Sequence, residues 1–232
     1  MTKERKISII IGSLFLISTT SFLFGDRFVA EVLRNPEYLK NTYPNTQKVA
    51  LGTILQFINN MALIGIGLMF LPILRRYNPN AAFGYLITRI VEATLLFVSA
   101  IYILAIIPLS KQYLQAAAGD LTHFETFGLL LKHMKYKGFQ IAMVALGFGS
   151  FFLCYVLYQT KLVPRFFSIL GFIGYTALLV KVFAELLGYQ VGGSILYIPG
   201  ALFEFLMPLW LLIKGFNTSA ITSKTPQDEV LA

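Results

Sequence analysis

The sequence predicts an all-α fold, a six-helix transmembrane bundle with two long outer loops that contain short amphipathic helices. Three observations predict it. Of 232 residues, 56% are hydrophobic and only 13% are charged, whereas a soluble domain carries about 25% charged residues. Mean hydropathy is +0.70. Six stretches are long and apolar enough to cross about 30 Å of hydrocarbon, which takes roughly 20 helical residues. The positive charges behind the net +8 sit between these stretches, where membrane topology accounts for them better than a nucleic-acid partner does.

The spans fall at residues 7–24, 49–74, 81–109, 139–158, 166–187 and 194–213. The first follows Lys3-Glu4-Arg5-Lys6, as a signal peptide would. Its apolar run is longer than the usual signal core, and Phe22-Leu23-Phe24-Gly25-Asp26 offers no small-x-small cleavage site. An uncleaved anchor is the better reading. Short links at Arg75-Arg76 and at Lys161 to Arg165 carry no acid. With Lys3, Arg5, Lys6, Lys214 and Lys224 they place both termini in the cytoplasm by the positive-inside rule, although the outer segments carry nearly as many basic residues. Residues 1–217 then form one membrane domain, and 218–232 a flexible cytoplasmic tail.

Two outer segments are long, 25–48 and 110–138. Asn35-Pro36-Glu37 reads as a helix start, with Asn as the cap and Pro in the first turn. From Asp120 onward Leu121, Phe124, Phe127 and Leu131 recur at helical spacing. Both read as short amphipathic helices that either cap the bundle or rest on lipid headgroups.

Charges within spans are costly and turn toward a bundle interior or a cavity. Arg89 and Glu92 are three apart on the third span and share a face, as do Lys181 and Glu185, four apart on the fifth. Glu204 stands alone in the sixth, flanked by Pro199 and Pro208. Each proline removes a backbone hydrogen bond, so Pro208 frees the carbonyl of Glu204. Helix rise puts Arg89, Glu92 and Glu204 roughly 12–16 Å from the cytoplasmic side, in one layer. Asn59, Asn60, Gln140, Lys181 and Glu185 lie roughly 20–31 Å up. Polar groups that thicken outward predict a cavity opening to the outer face, with the deeper charges as its floor. Bland alternatives stand beside this: a structural Arg89–Glu92 clamp, a snorkelling Lys181, and Asn59 and Asn60 as interhelical glue.

Three strings carry a family likeness: Arg89-Ile-Val-Glu92-Ala93, the run from Leu162-Val-Pro164-Arg165 to Gly174-Tyr175, and Pro199-Gly-Ala-Leu-Phe203-Glu204 leading to Trp210 and Lys214-Gly215-Phe216-Asn217. Together they resemble the bacterial multi-pass membrane family known as domain of unknown function 4386. The resemblance implies a bacterial cytoplasmic membrane protein with this six-span layout, and it implies no activity.

The residues exclude several chemistries. The single Cys154 cannot form an intramolecular disulfide. Only His123 and His133 are present, so haem held by histidine pairs within the membrane is excluded. No phosphate-binding glycine loop appears, and Gly147-Phe-Gly149-Ser150 lacks an intramembrane base. No cofactor, metal or nucleic acid is expected; the expected partners are the lipid bilayer and a small polar ligand. Two readings follow: a binding or transport protein in which a small polar or cationic molecule, or a proton, meets Arg89, Glu92 and Glu204; and a structural or regulatory membrane subunit whose buried charges fix helix packing. A lipid-active enzyme is a weaker third.

Overall fold

A computed structural model describes residues 2–117 and 121–217. Over these described residues the fold is all-α, a six-helix membrane-spanning bundle. The helices are α1 (Lys3–Leu33), the short α2 (Tyr38–Thr42), α3 (Thr46–Leu74), α4 (Pro79–Gln115), α5 (Leu121–Thr160), α6 (Arg165–Leu186) and α7 (Ile198–Ile213). A 3₁₀ turn over Gly193–Tyr197 leads into α7. Each expected span lies within one of the six long helices, apart from the fifth, which runs one residue past α6, and the last, whose first residues form the 3₁₀ turn.

The helices outrun the apolar stretches. Helix α5 is a single 40-residue element, so the expected separate helix after residue 120 is fused to the fourth span. A helix need not stop where its hydropathy changes, because its hydrogen bonds close within the backbone. Similarly, α1 continues to Leu33. The expected helix start at Asn35 is corrected as well. The Asn35 side chain accepts a hydrogen bond from the Glu37 amide (2.9 Å), an Asx turn at Pro36 that precedes the helix. Only five residues, from Tyr38, become helical. Asp120 and the tail at 218–232, including Lys224, lie outside the described residues.

The chain divides into two compact units. The first comprises Met1–Leu16, Gly65–Arg89 and Leu146–Ala232; the second comprises Ile17–Ile64 and Ile90–Ala145. In the first unit α6 and α7 lie along each other. Helix α6 ends in a Schellman motif: the Gly188 amide donates to Glu185 O and the Tyr189 amide to Ala184 O (2.8 Å), with Gly188 at φ +91°. Gly215, at φ +76°, ends α7 in the same left-handed conformation. The Arg5 guanidinium then covers the last carbonyls of α7, donating to Leu211 O at 2.9 Å and also to Leu212 O and Ile213 O. Positive charge at a helix C-terminus is favourable. Arg76 meets Glu4 at 3.5 Å, and the Asn217 amide donates to Leu162 O at 2.9 Å. The N-terminus, the two basic turns and the end of α7 therefore gather at one end of this unit.

In the second unit Val29, Val32, Leu39, Val49, Ile103 and Ile106 form a buried core. Leu121, Phe124 and Leu131 pack against that core, while Phe127 is exposed. Three of the four stripe residues thus cap the unit. Helix α2 is tied down by Ser110, whose hydroxyl donates to Leu39 O (2.5 Å) and accepts from the Tyr43 amide (2.8 Å). Lys132 Nζ stands 4.1 Å from the centre of the Tyr38 ring. Burial, with Glu125 and Tyr113 adding to it, raises the Tyr38 phenol above its ordinary value.

Candidate functional site

The second unit contains a cavity walled by α1, α3, α4 and α5. About 20 Å³ of it is open to the centre of a water molecule, enough for one or two waters. Helix α3 contributes Gln56, Asn59 and Asn60, and α4 contributes Leu96 and Ser99. Phe22 and Asp26 come from α1, Lys135 and Phe139 from α5. Of the expected residues Asn59 and Asn60 belong to this wall. Glu92, 2% exposed, shares a helical face with Leu96 and Ser99 at i+4 and i+7, one turn along α4 from the cavity.

The asparagines form an ordered chain. The Ser18 hydroxyl donates to Asn59 Oδ1 (2.6 Å), and Asn59 Nδ2 donates to Asn60 Oδ1 (3.0 Å). Asn60 Nδ2 then has no protein partner, although the residue is only 1% exposed. Buried amides are ordinarily satisfied by protein or by ordered water. This wall therefore presents a donor to whatever occupies the cavity.

The first unit holds Arg89, Glu204, Lys181 and Glu185. Arg89 has the largest of the fully buried side chains among the described residues. Its Nε donates to the Tyr85 hydroxyl (3.0 Å). Its guanidinium carbon lies 5.2 Å from the Tyr85 ring centre and 5.8 Å from that of Phe15, close enough for cation–π attraction. Phe70 adds edge contacts to both rings. Arg89 ends the first unit's stretch of α4, and the Glu92 residue begins beyond it in the second. Glu204 is half-buried and accepts a hydrogen bond from the Tyr175 hydroxyl (3.0 Å); the Arg89 charge is within electrostatic reach of it. Pro199 occupies the first turn of α7, where a missing N–H is harmless. Of the two prolines only Pro208 interrupts the helix interior.

The profile of the family described as domain of unknown function (DUF4386) matches residues 10–215. The chain belongs to the DUF4386 family. No curated protein and no solved structure matches it. In this DUF4386 protein every cavity-lining residue, and every charged position singled out within the spans, falls inside the matched interval.

Lys181 is buried rather than extended to solvent. It pairs with Glu185, and its Nζ lies 5.1 Å from the Tyr197 ring centre. This pair therefore joins α6 to the turn that precedes α7 in the DUF4386 fold. Reading the spans alone missed Asp26 and Lys135, which were assigned to the outer loops. A signal for them does exist: Phe22 and Asp26, like Lys135 and Phe139, stand four apart. That spacing sets each aromatic and charge on one helical face, once the helices extend past the apolar runs.

Proposed function

We propose that this protein receives a small polar or cationic solute, about the size of water or ammonium, in the cavity of its second unit. The solute arrives from the outer face of a bacterial cytoplasmic membrane that has both chain termini on its inner side. The Asn60 amide supports this best: it is buried at the cavity wall, its Nδ2 has no protein partner, and turned over it presents its oxygen to a guest that only donates. A buried donor left unsatisfied costs about 1–3 kcal/mol, and a polar cavity of this size is suited to a water-sized guest. The orientation is supported by Lys3, Lys6, Arg75, Arg76, Lys161, Arg165 and Lys214, all exposed at the termini or in the two short turns of the first unit.

A structural role for the first unit's charges is favoured by one observation. Arg89 is packed against Phe15 and Tyr85 and bonded to Tyr85, which joins α1 to α4. Lys181 and Glu185, tied to Tyr197, act likewise.

Silver ion is small enough to test the cavity. In Asn60→Cys, silver added from the outer side is expected to protect the new thiol from maleimide labelling after denaturation. Cys154, fully buried in the first unit, serves as the internal reference and stays unprotected. Equal labelling of both thiols would contradict the proposal.

A further inference from the structure

The cavity's outer wall has a two-storey construction. Phe22 and Asp26 stand one turn apart on α1, and Lys135 and Phe139 one turn apart on α5. The rings of Phe22 and Phe139 stack, with centres 6.1 Å apart and planes within 11°. Lys135 Nζ lies 3.5 Å from the Asp26 carboxylate, with the two side chains 26% and 32% exposed. All four residues line the cavity. Arg34 also approaches Asp26, at 3.9 Å, but its side chain is 82% exposed. Among the described residues Asp26 is the one carboxylate in the lining, and Lys135 its one cation.

At 3.5 Å, with both side chains reaching solvent, this pair is longer than a charge-assisted hydrogen bond and open to exchange. Its ammonium group has the charge and the N–H donors of a free ammonium ion, and it stands where an entering ion would first meet the cavity. We propose that Lys135 is a tethered occupant of a cation site: its ε-ammonium covers Asp26 until a free ammonium or small primary ammonium ion displaces it and passes the Phe22–Phe139 pair to the asparagines. This deepens the reading of the cavity given above and rests on it. The route offers the cation a carboxylate, then the paired rings of Phe22 and Phe139. The end of the route can adapt to it. The Ser18 hydroxyl accepts as readily as it donates, so turning over both amides reverses the chain and presents Asn60 Oδ1 in place of Nδ2.

Thermal unfolding of the purified full chain in detergent, titrated with ammonium chloride, tests the inference. Tetramethylammonium chloride at equal ionic strength is the control. The wild-type midpoint is expected to rise with ammonium and saturate. In Lys135→Gln the half-maximal concentration falls about tenfold, as when an internal competitor that masks most of the site is removed. Lys135→Ala, which lacks the amide of the glutamine, gives the same displacement. Asp26→Asn loses the saturable response while remaining monodisperse. The inference is overturned if both Lys135 variants keep the wild-type half-maximal concentration, or if Asp26→Asn responds as wild type does. Should silver protect Asn60→Cys while the Lys135 variants leave the ammonium response unchanged, the tethered-cation inference fails and the cavity reading stands. An ammonium response at Asp26 with Asn60→Cys unprotected would confine the cation to the surface pair and overturn its passage inward.

Discussion

Arg89→Ala is expected to lower the unfolding temperature by about 10 °C. The substitution empties the volume of a side chain only 1% exposed, in a stretch where Phe15, Phe70 and Tyr85 pack edge to face. Large-to-small changes in such places cost about 2–5 kcal/mol, and each kcal/mol is worth about 2–4 °C in a chain of this length. The Tyr85 hydroxyl also loses its donor. Arg89→Lys keeps the charge but loses the flat guanidinium that lies against two rings, so it falls between the two. Thermal unfolding in detergent, followed by loss of monodispersity, measures the series. An Arg89→Ala protein that melts with the wild type would remove the structural role given to this residue.

The second large effect is expected at Gly174, where α6 meets α7. A Cβ there would stand 2.6 Å from Gly200 Cα and 2.8 Å from the Pro199 carbonyl carbon. These are backbone atoms, held in the first turn of α7, and they cannot rotate away. Gly174→Ala therefore forces the helices apart, where small residues otherwise permit close packing. The expected loss is about 3 kcal/mol or more, at the upper end for overpacking. Gly65→Ala is the matched control, since its Cβ would meet only the flexible end of Leu14 at 3.2 Å. Limited proteolysis of the two variants should cut Gly174→Ala faster between α6 and α7 and leave Gly65→Ala near wild type. Equal cutting of both would refute the claim that backbone approach holds this pair together.

How much of this was legible in the sequence depends on which force left the mark. Six spans were readable because lipid demands long apolar helices and tolerates nothing else of that length. Their true ends were not. Residues 121–138 are polar enough to read as a separate amphipathic helix, yet they continue α5 without a break, since helix formation does not require an apolar surface on every side. Pro36 has the spacing of a helix start, but Asn35 to Glu37 form an Asx turn and the regular helix begins only at Tyr38.

The candidate site was legible in part for the same reason. Arg89, Glu92, Asn59 and Asn60 could be selected because polar groups within a span need an explanation, and all four are buried. Which of them line a cavity depends on neighbours from other helices, which no single span encodes. Asp26 and Lys135 escaped because they lie past the apolar runs, where a charge is cheap and draws no notice. Their pairing became visible only when α1 and α5 were seen to extend together beyond those runs.

The central claim is that the second unit's cavity holds a polar guest against Asn60. A high-resolution experimental density map of the full-length protein tests this most directly. A discrete peak is expected within hydrogen-bonding distance of the Asn60 amide, enclosed by Gln56, Asn59 and Ser99. A cavity closed by its own side chains, with the Asn60 amide bonded to another protein group, would contradict it.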